Sequence, residues 1–195
     1  QRAALVLLRV TEEDGRRLLT LTEAGMLAKI GLNDRGFGVC LNILRSLDDG
    51  LAPGMPVHVL LRLLLGCYDV AAAVAAARSL HHGASSNILV ADSGGNAGSI
   101  EVSPRGVAVL SPANGTLAHT NHFLDAEQAL HAATLNPLAS TEQRLACAME
   151  HARRGPLGRD EIFALLRDTS GGELAVSRFP DPALAPEVRI ETVAG

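Results

Sequence analysis

Residues 22–44 read TEAGMLAKIGLNDRGFGVCLNIL, and this stretch decides the fold class. Gly25, Gly31, Gly36 and Gly38 break it into short apolar runs, and the Asn33-Asp34 pair suits a tight turn ahead of a strand over 37–44. On its N-terminal side, residues 4–10 are an apolar run, 12–17 are polar and contain Asp14-Gly15, and 18–22 resume strand character. Together these predict a hairpin. On its C-terminal side comes the loop DDGLAPGMP, after which Pro56 stands at the first turn of a helix through VHVLLRLLLGC. Asp69 is then the expected N-cap of VAAAVAAARSLHH, an alanine-rich helix closed by Gly83.

Strand character returns at 87–91, turns at Ser93-Gly94-Gly95-Asn96, and continues over 97–103, 106–110 and 116–120. In the last third, Ser140 and Gln143 form a capping-box pattern for a helix ending near 153–155, and a shorter helix is expected over 159–168. Two strand-like pieces follow, 173–178 and 188–193. The order is sheet, helix pair, sheet, helices, sheet. Strands come in hairpin-like groups rather than alternating singly with helices, which predicts α+β with segregated layers. No internal repeat or linker divides the chain, so residues 1–195 are expected to form a single domain.

Composition narrows the function classes. The chain is 47% hydrophobic, enough to bury a core and too much for a disordered segment. Net charge is -4, and Lys29 is the sole lysine among 17 basic residues, so the basic face of a nucleic-acid binder is missing. Aromatic content is 3%, which argues against base-stacking platforms and aromatic sugar clefts. No uninterrupted apolar run reaches membrane-spanning length, and no membrane partner is expected. Cys40, Cys67 and Cys147 show neither CxxC nor zinc-ribbon spacing. A reducing compartment, and with it a cytoplasmic location, is the expectation. The chain starts at Gln1 rather than Met and stops within the strand-like VRIETVAG, so both ends are expected to be cut from a longer domain.

The densest polar cluster is His119-Thr120-Asn121-His122. Two histidines three apart could ligate a metal, but on a strand they would face opposite ways and no acidic residue is close in sequence. They could equally satisfy backbone groups at a strand end. Asn121 offers a third chemistry, because its amide is a neutral N–H donor of the kind that stabilises the oxyanion of an acyl-transfer intermediate. No GxSxG elbow is present, and SGGNAGS lies between strands, where a hairpin turn explains it. The cysteines sit among apolar neighbours and are read as small hydrophobes. Arg178 and Arg189 fall on terminal strand-like runs, where an arginine either pairs with a carboxylate or faces an anionic group in a cleft.

The run over 22–44, MPVHVLLRLLL, IEVSP at 100–104 and above all LAHTNHFL at 117–124 resemble the acyl-coenzyme A:6-aminopenicillanic acid acyltransferase family, in that family's order. The resemblance implies a four-layer αββα N-terminal nucleophile hydrolase fold and a precursor that cleaves itself to expose a cysteine. That thiol would attack an amide or thioester carbonyl with its own α-amino group as base. It implies further that Asn121 is an oxyanion donor, that Arg189 and, more loosely, Arg178 approach the nucleophile or a substrate carboxylate, and that His119 contacts substrate. No cofactor and no metal are implied. The expected partners are a small N-acyl amide or acyl thioester and the chain's own N-terminal fragment, and an oligomer is compatible.

The family's cysteine and its Asn-aromatic-Asp motif precede the opening hairpin and are not in this sequence, and Cys40 occupies a strand position unsuited to replace the cysteine. Three readings follow: an N-terminal cysteine hydrolase or acyltransferase whose nucleophile lies upstream, a catalytically inactive small-molecule-binding module of the same fold, and a metal-dependent hydrolase built on His119 and His122.

Overall fold

The computed structural model describes residues 5–134, 140–179 and 183. The chain forms two units, Gln1–Ala133 and Thr134–Gly195.

The first unit is built on one antiparallel sheet of seven strands in chain order: β1 (Leu5–Thr11), β2 (Arg17–Glu23), β3 (Ile30–Asn33), β4 (Gly38–Ile43), β5 (Ser86–Ala91), β6 (Ala97–Ser103) and β7 (Gly106–Leu110). The expected hairpin is β1–β2, and the glycine-rich stretch yields β3 and β4, of which β3 was not anticipated as a strand. Their turn depends on Asn33, which is buried. Its Oδ1 accepts from the backbone N–H groups of Arg35 (3.0 Å) and Phe37 (3.1 Å), and its Nδ2 donates to the carbonyls of Leu65 (2.9 Å) and Cys67 (2.8 Å). The turn closes at Gly36, whose φ of 80° is in the left-handed region that a side chain disfavours.

Helices α1 (Val57–Leu64) and α2 (Val70–Arg78) connect β4 to β5. Pro56 takes the N-cap position of α1, and Asp69 caps α2 by accepting from the Ala72 N–H at 2.7 Å. The second helix ends at Arg78, short of Gly83, because His82 turns back and places its Nε2 2.9 Å from the Ala77 carbonyl. Alternation along the strands sends Val39, Ile88, Val90, Ile100 and Val102 to one face, where they pack with Leu60, Leu61, Leu64, Leu65, Ala73 and Ala77 in a buried core. Ala73 and Ala77 are one turn apart, and their small size lets α2 lie close on the strands.

The opposite face has a different chemistry. Register aligns Asn42 with Asn87 and Asn87 with Glu101, and Cys40 with Leu89 and Leu89 with Ser99. Cys40 is exposed on this face. The expectation that it is a buried small hydrophobe is corrected: period-two alternation turns it away from the helices that cover its neighbour Val39.

No strand forms over 116–120, contrary to expectation. Asn114 (φ 52°) and Gly115 (φ 75°) turn the chain so that Ala113 and Thr116 pair only with each other, and the following residues cross the polar face of the sheet as a loop. A short helix α3 (Ala126–Ala129) ends this loop, capped by Asp125, which accepts from the N–H groups of Glu127 and Gln128.

The second unit contains α4 (Thr141–Arg153) and α5 (Arg159–Leu166). The capping box is not made: Ser140 adopts φ 49°, ψ 22° and its hydroxyl accepts from Arg144 Nε at 3.3 Å instead of a helix N–H. The strand expected over 173–178 is also absent. A 3-10 turn, Gly172–Leu174, replaces it, started by Gly172 at φ 57° and followed by a bond from the Ser177 N–H to the Asp168 carbonyl. The strand expected over 188–193, with Arg189, lies outside the described residues.

Candidate functional site

Glu101 stands on β6 with no solvent exposure, on the face opposite Ile100 and Val102. A carboxylate there requires donors, and the loop after residue 116 supplies them. His119 places Nε2 2.7 Å from Glu101 Oε1, with both side chains at 0% exposure. The backbone N–H groups of Leu124 (2.6 Å) and Asp125 (3.1 Å) donate to the two carboxylate oxygens. His119 Nδ1 lies 2.8 Å from the Thr120 carbonyl. Both ring nitrogens therefore face oxygens.

Between these two attachments lies Asn121, which is half-buried, and its Nδ2 donates to the Ile43 carbonyl at 3.0 Å. Ile43 is the last residue of β4, so the amide is fixed against a strand end. A primary amide nitrogen carries two hydrogens, and fixing one sets the direction of the other. His122 Nδ1 is 3.2 Å from the Thr120 hydroxyl.

The polar row extends beyond the loop. Ser99 donates its hydroxyl to Asn87 Oδ1 at 2.5 Å, Asn87 Nδ2 lies 3.4 Å from Asn42 Oδ1, and Ser103 donates to Gln128 Oε1 at 2.5 Å. Asn87, Ser99, Glu101 and Ser103 are all buried, so the second face of β5 and β6 is a hydrogen-bonded polar layer under the loop. Sequence reasoning singled out neither Glu101 nor Asn87. The available signal was a strand that keeps polar residues at every second position where a half-buried strand would show them to water.

The site residues expected from sequence fall in different units. Asn121 and His119 are together in the first. Arg178 is in the second, near Arg144, where burial and then the Arg178 charge lower the pKa of Arg144. Arg189 is outside the described residues. Among the described residues no group of three or more His, Cys, Asp or Glu could hold a metal ion. His119 Nε2 engages Glu101, and His122 Nδ1 faces the Thr120 hydroxyl.

Residues 5–181 match the family model described as acyl-coenzyme A:6-aminopenicillanic acid acyl-transferase. The chain belongs to this family. A curated relative in the acyltransferase family, the 40 kDa form of acyl-coenzyme A:6-aminopenicillanic-acid-acyltransferase from Emericella nidulans, is 33% identical over 161 residues. That match takes in 81% of this chain and 44% of the relative, so the chain spans less than half the relative's length.

Among solved structures, penicillin V acylase from Agrobacterium tumefaciens superposes with a TM-score of 0.57 at 15% identity, over 88% of this chain and 59% of that one. A variant of conjugated bile acid hydrolase from Clostridium perfringens gives 0.56 at 12% identity, over 96% and 74%. The acyltransferase-family chain thus has the α+β N-terminal nucleophile hydrolase fold that the resemblance implied. No helix among the described residues is long and apolar enough to cross a membrane.

Proposed function

We propose that this chain is the oxyanion-binding part of an N-terminal cysteine hydrolase or acyltransferase acting on small N-acyl amides or acyl thioesters. The observation that carries the reading is the Asn121 side-chain amide, held 3.0 Å from the strand-end carbonyl of Ile43 on a loop tied to a buried carboxylate. A donor that stabilises a developing oxyanion must be oriented before the charge appears, and this amide is held by the protein without help from a ligand.

In the proposed reaction a cysteine at the exposed N-terminus of the mature protein, upstream of this chain, gives its thiol proton to its own α-amino group. Its sulfur attacks the acyl carbonyl carbon. The carbonyl electron pair moves to oxygen, where an Asn121 N–H donates to it. Collapse of the tetrahedral species expels the amine with the proton from the α-amino group, or the thiol of a thioester, and leaves a thioester to the enzyme. Water or an acceptor amine then attacks that thioester and regenerates the cysteine. Arg178 and Arg189 are proposed to meet a substrate carboxylate.

The test is Asn121→Ala in the whole protein, with penicillin V and a conjugated bile acid as first probes. The acylation rate should fall by about a hundredfold or more while the fold is kept. Turnover equal to that of the unmodified protein would remove Asn121 from the site. Intact mass of the purified product reports self-cleavage; a product that keeps its full precursor mass and turns over neither probe favours the binding-module reading.

A further inference from the structure

We infer that Glu101 is a positioning residue for Asn121, acting through the loop that it grips at both ends; this rests on the reading of Asn121 as the oxyanion donor. One fully buried carboxylate receives His119 Nε2 on one side of Asn121 and the N–H groups of Leu124 and Asp125 on the other. The four residues between His119 and Leu124 form no strand and no helix.

The clamp and the bond from Asn121 to Ile43 both hold their path. His119 ties the clamp to the residue immediately before Asn121, because its other nitrogen meets the Thr120 carbonyl. Glu101 itself is held by the sheet. It lies in the middle of β6, paired with Asn87 on one side and Ala108 on the other.

The arrangement uses both oxygens of the carboxylate. Two backbone N–H groups donate to it, one to each oxygen, and a His119 ring nitrogen faces it. A glutamine of the same shape offers one oxygen in place of two. In either orientation its NH2 group then meets a backbone N–H, that of Leu124 or that of Asp125, and a donor facing a donor loosens that end of the loop. A displacement near 1 Å at a catalytic group costs about a hundredfold in rate. His119 is accordingly part of the clamp rather than a substrate contact, and the two roles differ in the kinetic parameter they move.

The experiment compares Glu101→Gln, His119→Gln and Asn121→Ala in the whole protein, reading kcat and KM with the same acyl probes. It also reads the Asn121 side-chain amide resonances of protein labelled with 15N-asparagine. Glu101→Gln is expected to lower kcat about ten- to a hundredfold with KM within about twofold. The Asn121 amide resonances should shift, and no further loss should appear when Asn121→Ala is added. His119→Gln, which keeps a donor to the carboxylate, should give a smaller change in the same direction and stands in if Glu101→Gln does not fold. Unmoved Asn121 resonances in both variants would overturn the inference, as would a raised KM at unchanged kcat. If Asn121→Ala leaves kcat intact, the proposed function fails, while the resonance shift still decides whether Glu101 positions the amide.

Discussion

His119 Nε2 and Glu101 Oε1 meet at 2.7 Å with neither side chain exposed. In a low-dielectric interior each member depends on the other, since a buried carboxylate or ring nitrogen left without its partner has no water to solvate it. Truncating one partner is therefore far more damaging than replacing both. His119→Ala should destabilise the protein by about 3–5 kcal/mol. Glu101→Met combined with His119→Leu should cost clearly less than the two single changes added together, read by chemical denaturation as a double-mutant cycle. Additive costs would show that the pair does not couple.

A second prediction concerns Asn33, whose single side chain makes four hydrogen bonds and ties the β3–β4 turn to the end of α1. Asn33→Ala strands two buried carbonyls and two N–H groups, at about 1 kcal/mol each, so a loss of roughly 3–4 kcal/mol is expected. Asn33→Asp should be no better, because a carboxylate would face the Leu65 and Cys67 carbonyl oxygens without a hydrogen to offer. Denaturant midpoints of the two variants check this, and a midpoint near that of the unmodified protein would refute it.

Legibility in the sequence followed the range of the interactions. Helix α2 and its cap were readable because Asp69 and the alanines that it precedes are neighbours, and the β5–β6 turn because Asp92 to Asn96 closes on itself. The Ser140 and Gln143 pattern was equally local but misled, since the Ser140 hydroxyl is engaged by Arg144 and the backbone is left-handed there. Residues 116–120 have strand composition, yet the His119 side chain has its partner 18 residues back on β6, which no local pattern encodes. Asn33 was read as a turn residue, but its reach to Leu65, 32 positions away, was invisible. Asn121 was found through its motif, whereas the carboxylate that holds the motif was not.

A third prediction follows from Asp92 at the β5–β6 turn. Its pKa is lowered, first by the Asn96 side chain, against an opposing effect of burial that comes next in size, and further by the backbone N–H groups of Asn96, Val70 and Gly94. A carboxylate with a lowered folded-state pKa stabilises the fold above its unfolded value, and that contribution is lost as pH falls through the lowered one. Asp92→Asn keeps an acceptor and removes the titration. The melting temperature of the variant should therefore fall less steeply than that of the unmodified protein as pH drops through the carboxylate range. Parallel acid limbs would show that Asp92 contributes nothing to them.

The last prediction separates Cys147 from a nucleophile. Cys147 lies on α4 with its Sγ 3.4 Å from Asp168 Oδ2 and 3.8 Å from His151 Nδ1, a cysteine, histidine and aspartate gathered in one place. The sequence expectation of purely apolar surroundings does not hold here, yet the chemistry points away from catalysis. Burial first, then the hydrogen bond to Asp168 and its charge, raise the thiol pKa, with Arg154 opposing them weakly. A reactive cysteine needs the opposite shift, because the thiolate is the attacking species. Alkylation by iodoacetamide, followed at the Cys147 peptide by mass spectrometry, should be slower near neutral pH than that of a free cysteine. Its rate should rise with a midpoint above the free-thiol value. Asp168→Asn removes the neighbouring charge and should move that midpoint down. Faster alkylation than free cysteine at neutral pH would overturn this and make Cys147 a candidate nucleophile.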